Sequence, residues 1–129
     1  GRMRKPFDGD FAISDDFPAH LDRRPPSTAP GVDFLLPYET PVLAAKAGYV
    51  LLARYGGRGG RYCRILHADK SQTLYAHLAR LLAPEHGHVD AGETIGLSGS
   101  SGHSTGPHLH FALSMDGQWV DPLPHLKED

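Results

Sequence analysis

Leu109, Phe111 and Leu113 fall two apart in the run His108-Leu109-His110-Phe111-Ala112-Leu113. Side chains two apart on a strand share a face, so one side of this segment is apolar and the other carries His108 and His110. A chain holding such a strand must bury one side of it and leave the other facing a cleft, which predicts a sheet with a one-sided core. Two imidazoles at the head of a rigid strand suit metal ligation or proton transfer, because neutral imidazole does both near neutral pH. The preceding residues 99–107 are a loop of small residues able to lie close to a bound chain.

The remainder of the chain agrees with a β-rich fold. Fifteen Gly and eleven Pro among 129 residues punctuate many short apolar runs, which favours strands and tight turns over a helical bundle. Residues 1–30 hold Pro6, Pro18, Pro25, Pro26 and Pro30 and show no fixed period, so they read as an irregular, Pro-rich opening segment that wraps the sheet. From residue 31 strands are expected at 32–35, 41–45, 48–55, 61–66, 72–78, 92–98, along the histidine run and at 119–120. Gly56-Gly57-Arg58-Gly59-Gly60 reads as a hairpin loop and residues 78–82 as a single helical turn. The expected organisation is one domain: the opening segment 1–30 and a β-domain over 31–125. It is mainly β, a folded antiparallel sheet with an open groove and little helix.

Charge and cysteine content narrow the function classes. Thirteen Lys and Arg stand against fifteen Asp and Glu with no long basic run, so no nucleic-acid partner is expected. No apolar segment is long enough to span a membrane. No signal peptide is visible, and Gly1-Arg2-Met3 reads as an artificial start. The lone Cys63 lies in a strand-like run and reads as a buried structural thiol.

Four positions stand apart from the core. Asp33 interrupts an apolar strand between Val32 and Phe34, where an unpaired carboxylate is costly, and is either a hydrogen-bonded structural residue or a functional one. His77, in Tyr75-Ala76-His77, is read as facing away from Leu74, Ala76 and Leu78, either as a half-buried structural histidine or as a catalytic group. His108 and His110 are read as functional. Ser104 and Thr105 either cap their loop or touch a substrate.

Gly31-Val32-Asp33-Phe34, Glu39-Thr40-Pro41-Val42, Tyr75-Ala76-His77-Leu78, Gly92-Glu93-Thr94-Ile95-Gly96 and Ser104-Thr105-Gly106-Pro107-His108-Leu109-His110-Phe111 resemble the lysostaphin/LytM-type zinc endopeptidases, which cut peptide bridges or stems of bacterial peptidoglycan. The resemblance runs in order from about residue 31 to residue 122. It implies the family's duplicated hybrid fold, zinc as cofactor, peptidoglycan as substrate, and a place outside the cytoplasm (periplasm, cell wall or secreted) or on a virion. It makes Asp33 and His110 zinc ligands, and His77 and His108 the groups that orient or deprotonate water and stabilise the oxyanion.

The family's His-x-Gly-x-Asp motif here reads Ala29-Pro30-Gly31-Val32-Asp33. Alanine has no donor atom, and a catalytic zinc usually keeps three protein ligands beside an open position. His20 is either a replacement third ligand or a surface-loop histidine. The natural alternative is an inactive domain that binds peptidoglycan or regulates a cell-wall hydrolase such as an amidase, and an alanine placed by design would look the same. Two functions therefore stand open, a zinc endopeptidase with an altered metal site and an inactive recognition domain.

Overall fold

The computed structural model describes residues 2–127. Its strands are β1 (Ile13–Asp15), β2 (Val32–Phe34), β3 (Pro41–Leu43), β4 (Gly48–Tyr55), β5 (Arg61–Leu66), β6 (Gln72–Leu81), β7 (His88–Val89), β8 (Thr94–Ser98), β9 (Leu109–Met115) and β10 (Gln118–Val120). A five-residue helix, α1 (Phe17–Leu21), precedes β2. The sheet order is β1-β2-β9-β6-β5-β4-β7, with β10 on β9 and β8 joining both β3 and β6. All of these strand pairings are antiparallel.

The histidine strand behaves as its alternation dictates. Leu109, Phe111 and Leu113 are buried, and Phe111 sits opposite Val32 on β2 and Tyr75 on β6. The Tyr75 and Phe111 rings lie 5.3 Å apart, within a core that also holds Ile65, Leu78 and Ile95. Burying a side chain of this size contributes roughly 1.5–3 kcal/mol, so this apolar row fixes which side of the sheet faces inward. Its other side becomes the floor of a groove, with Asp33 opposite His110 and His110 opposite Ala76.

Two segments differ from expectation. Residues 78–81 form no helical turn. They continue β6 because Leu78, Arg80 and Leu81 pair with Ser98, Leu97 and Gly96 on β8, and those ladder partners outweigh local preference. The opening segment holds β1 and α1 and contributes Met3 and Phe7 to the core. Asp16 caps α1 by accepting from the Ala19 N–H at 3.0 Å, and Pro18 lies in the first turn where its missing N–H costs nothing. Cys63 is buried, and that burial pushes its thiol up to about 12.

Candidate metal centre and groove

Asp33 and His110 meet because β2 and β9 place them directly opposite each other on the same face. His110 Nδ1 lies 2.7 Å from Asp33 Oδ1, and its Nε2 lies 2.6 Å from the Ala29 carbonyl. A carbonyl can only accept, so Nε2 carries a hydrogen and Nδ1 is the nitrogen turned to the carboxylate. Ala29 has no side-chain donor, yet its backbone oxygen fixes this ring.

His20 reaches the same point from α1. It is fully buried, not a surface-loop residue. One helical turn separates it from Asp16, whose carbonyl accepts from His20 Nδ1 at 2.8 Å. That bond puts a ring hydrogen on Nδ1 and makes Nε2 the nitrogen turned toward Asp33. Burial alone would lower the His20 pKa, but Asp33 and the Asp16 carbonyl outweigh it and raise it. Nε2 lies 3.3 Å from Asp33 Oδ2, is sealed from solvent and makes no hydrogen bond among the described residues. An unsatisfied buried nitrogen costs about 1–3 kcal/mol and calls for a partner. Ligand atoms of His20, Asp33 and His110 lie within 4.8 Å of one another, close enough to hold one metal ion. Imidazoles whose second nitrogen is anchored on a carbonyl are the usual dress of metal-binding histidines, so these residues fit a zinc ion.

His77 and His108 face this cluster with their rings 4.5 Å apart. His77 Nδ1 donates to the Ser101 carbonyl at 2.8 Å, and His108 Nδ1 donates to the Gly106 carbonyl at 2.9 Å. Neither bond uses Nε2, and His108 Nε2 lies 3.9 Å from Asp33 Oδ1. Contrary to the alternating pattern, His77 lines the groove together with Leu74 and Ala76. The reason is its backbone: φ is +64°, a left-handed value that costs a non-glycine residue energy and swings the side chain out of sequence.

The electrostatics separate the two kinds of group. Burial by itself would raise Asp33, but its contacts with His110 and His20 outweigh that and hold the carboxyl well below its usual range. Arg23 adds a 3.2 Å contact to Asp33 Oδ2 while gripping Asp15 at 2.6 Å. Burial pushes His77 down to about 4, with His108 and His110 acting in the same direction, so His77 is neutral at pH 7.

The chain matches the model of peptidase family M23 over residues 27–122. It belongs to peptidase family M23. Peptidoglycan DD-endopeptidase ShyA from Vibrio cholerae is 37% identical to this M23 domain over 124 residues, covering 94% of it and 29% of the relative. DD-carboxypeptidase/endopeptidase Mpg from Neisseria meningitidis is 43% identical over 93 residues, covering 72% and 21%. The chain thus spans less than a third of the length of these curated relatives. Among solved structures, a zinc containing peptidase from Vibrio cholerae superposes with a TM-score of 0.85 at 30% identity, over 100% of this chain and 40% of that one. Lysostaphin from Staphylococcus simulans gives 0.77 at 30% identity, over 90% and 49%. The mainly antiparallel, lysostaphin-like fold expected of the sequence is the fold of this M23 domain.

Its groove is held by residues that residue type alone does not single out. Ser101 accepts His77 through its carbonyl, while its hydroxyl donates to the Leu78 carbonyl at 2.5 Å and accepts from the Arg61 N–H at 3.0 Å. Gly60 and Gly102, both with positive φ, let the two rim loops pack backbone to backbone where any Cβ would collide. Ser104 donates to the Gly106 carbonyl at 2.8 Å and lies 3.1 Å from His108 Nδ1, and Thr105 is exposed at the loop tip.

Proposed function

We propose that this M23 domain is a zinc-dependent endopeptidase that cleaves a peptide bond in peptidoglycan, with His20, Asp33 and His110 as its metal ligands. The observation that carries this reading is the buried, unpartnered Nε2 of His20 aimed at Asp33 beside His110. His20 then supplies the third donor that position 29 lacks. The reading also draws on relatives named as peptidoglycan endopeptidases and on a neighbour named as zinc containing.

Zinc, when bound in such a site, polarises a carbonyl and lowers the pKa of water. The residues of the chain divide the remaining work. His108 takes the proton of the attacking water at its Nε2, where the positive charge formed ends beside Asp33. His77, neutral and with Nε2 unprotonated, accepts a hydrogen bond from that water and orients it. In this state it cannot donate to an oxyanion, so it is a positioning acceptor first and a donor only after gaining a proton. Ser104 holds the loop that fixes His108, and the exposed Thr105 at its tip is the residue of that loop proposed to touch the substrate strand.

Such a substrate implies action outside the cytoplasm. No helix among the described residues is long and apolar enough to cross a membrane. An inactive domain that only docks on a cell-wall amidase would have no use for a metal site. Incubating the zinc-loaded protein with purified peptidoglycan and measuring newly released amino groups tests the proposal. Release that stops with a chelator and in His20→Ala is expected. Absence of release from the zinc-loaded wild type, or release unchanged in His20→Ala, overturns it.

A further inference from the structure

We infer that the groove beside the metal site recognises a free carboxylate on the peptide it binds, through Arg24 and Arg58 with His103 at the rim. The inference rests on the endopeptidase reading and names the residues that set its specificity, cations at the groove wall that take a carboxylate of the bound peptide.

The chain carries a net charge of −2, yet the cavity of about 500 Å³ next to His110 is lined by Arg23, Arg24, Arg58 and His103, with no Asp or Glu in its lining. These cations come from separate segments. Arg23 and Arg24 lie on the loop leading into β2, Arg58 on the turn between β4 and β5, and His103 on the loop before β9. Leu74 and Ala76 of β6 form the floor between them. The strand order puts β2 and the β4–β5 hairpin on opposite sides of β6, so the positive groups flank whatever lies on that floor.

Arg24 and Arg58 pair with no carboxylate among the described residues. Arg4, Arg23 and Arg54 each hold a carboxylate within 3.2 Å. Among the described residues Arg24 donates only to the Asp22 and Arg23 carbonyls, at 3.2 and 3.0 Å, which steadies its guanidinium without neutralising it. Arg58 has no carboxylate partner among the described residues, and its loop is held by the His103 N–H donating to the Arg58 carbonyl at 2.8 Å. A planar guanidinium left unpaired at a groove wall matches the two oxygens of a carboxylate, whereas a bridge made of glycine alone offers it nothing.

The test uses zinc-free protein in chelator, so that nothing is cleaved. The pentapeptide Ala-D-Glu-Lys-D-Ala-D-Ala is titrated in parallel with the same peptide bearing carboxamides in place of its carboxylates, following backbone amide shifts. The free-carboxylate peptide should bind about tenfold tighter at low salt, with the difference shrinking as salt rises. Arg24→Gln with Arg58→Gln, both exposed and remote from the core, should erase the preference. With zinc restored, the double variant should raise KM for the free-carboxylate peptide and leave kcat near wild type. Equal binding of the two peptides, no binding of either, or a preference that survives the double variant overturns the inference. A preference present in binding, with no amino groups released from purified peptidoglycan by the zinc-loaded protein, strikes the endopeptidase reading alone.

Discussion

Two buried histidines at different places in the fold differ in one respect that separates a structural imidazole from a candidate ligand. His67 donates from Nδ1 to the Ala47 carbonyl at 2.8 Å, so its Nε2 must accept, and Thr73 Oγ1 lies 2.9 Å from it. The Thr73 hydroxyl is then committed to His67 and accepts in turn from the Tyr75 hydroxyl at 2.8 Å, which takes the Ala45 N–H at 2.9 Å. Every donor in this chain has an acceptor. His20 begins the same way, with Nδ1 on a backbone carbonyl, but its Nε2 ends facing a carboxylate and another imidazole without a hydrogen bond. Burial is nearly equal in the two. The unsatisfied nitrogen is the difference, and it marks the groove as a site and the His67 end as scaffold.

The largest expected effect is on metal affinity. Replacing groups that merely support metal ligands typically costs 10–100-fold, so Asp33→Asn and His110→Ala, which remove the proposed ligand atoms, should each weaken zinc binding by more than about 100-fold in calorimetry. His77→Ala and His108→Ala should lose turnover while keeping most of the zinc affinity. Equal losses from all four would dissolve the division between ligands and proton-handling groups.

On the scaffold side, His67→Ala should cost about 3 kcal/mol in denaturant unfolding, from lost packing and a stranded Thr73 hydroxyl, and leave zinc affinity unchanged. A change in zinc affinity there would mean that the two regions are not independent. Ser101→Ala lies between them. It removes the hydroxyl that joins Leu78 and Arg61 but keeps the carbonyl that holds His77. A loss of about 1 kcal/mol in stability, with kcat reduced more than KM is raised, is the expected outcome.

A further effect is a pH dependence of stability. His77 is depressed from the ordinary histidine value of about 6.5 to about 4, chiefly by burial. As pH falls below 6.5 the unfolded chain takes up this proton first, so stability declines down to about pH 4 and then levels. In His77→Gln that part of the decline should vanish, read as a smaller drop in denaturant midpoint between pH 7 and pH 4.5. An unchanged drop would place the ring in water rather than in the groove wall.

Much of this arrangement is legible in the residues themselves. The alternation from Leu109 to Leu113 fixes the buried face, and an aspartate between Val32 and Phe34 stands out because an apolar strand does not tolerate one idly. His20 is harder to see. It sits thirteen positions before Asp33 in a Pro-rich stretch, and only Asp16 as a cap followed by Pro18 hints at the short helix that delivers it. The outward swing of His77 depends on one left-handed residue within β6, which no period predicts. Strand continuation over residues 78–81 depends on β8, a partner fifteen or more residues away in sequence. Ser101, Arg24 and Arg58 gain their roles only when distant loops converge, so residue type carried no signal for them.

Zinc titration of metal-free wild type, His20→Ala and His20→Ala with Ala29→His tests the central claim most directly. One zinc per wild-type chain is expected, with loss of binding in His20→Ala and recovery in the double variant, where the side chain at position 29 opens onto the same cavity. Ala29→His alone should then add little, because the third position is already served. Undiminished zinc binding in His20→Ala would contradict the account.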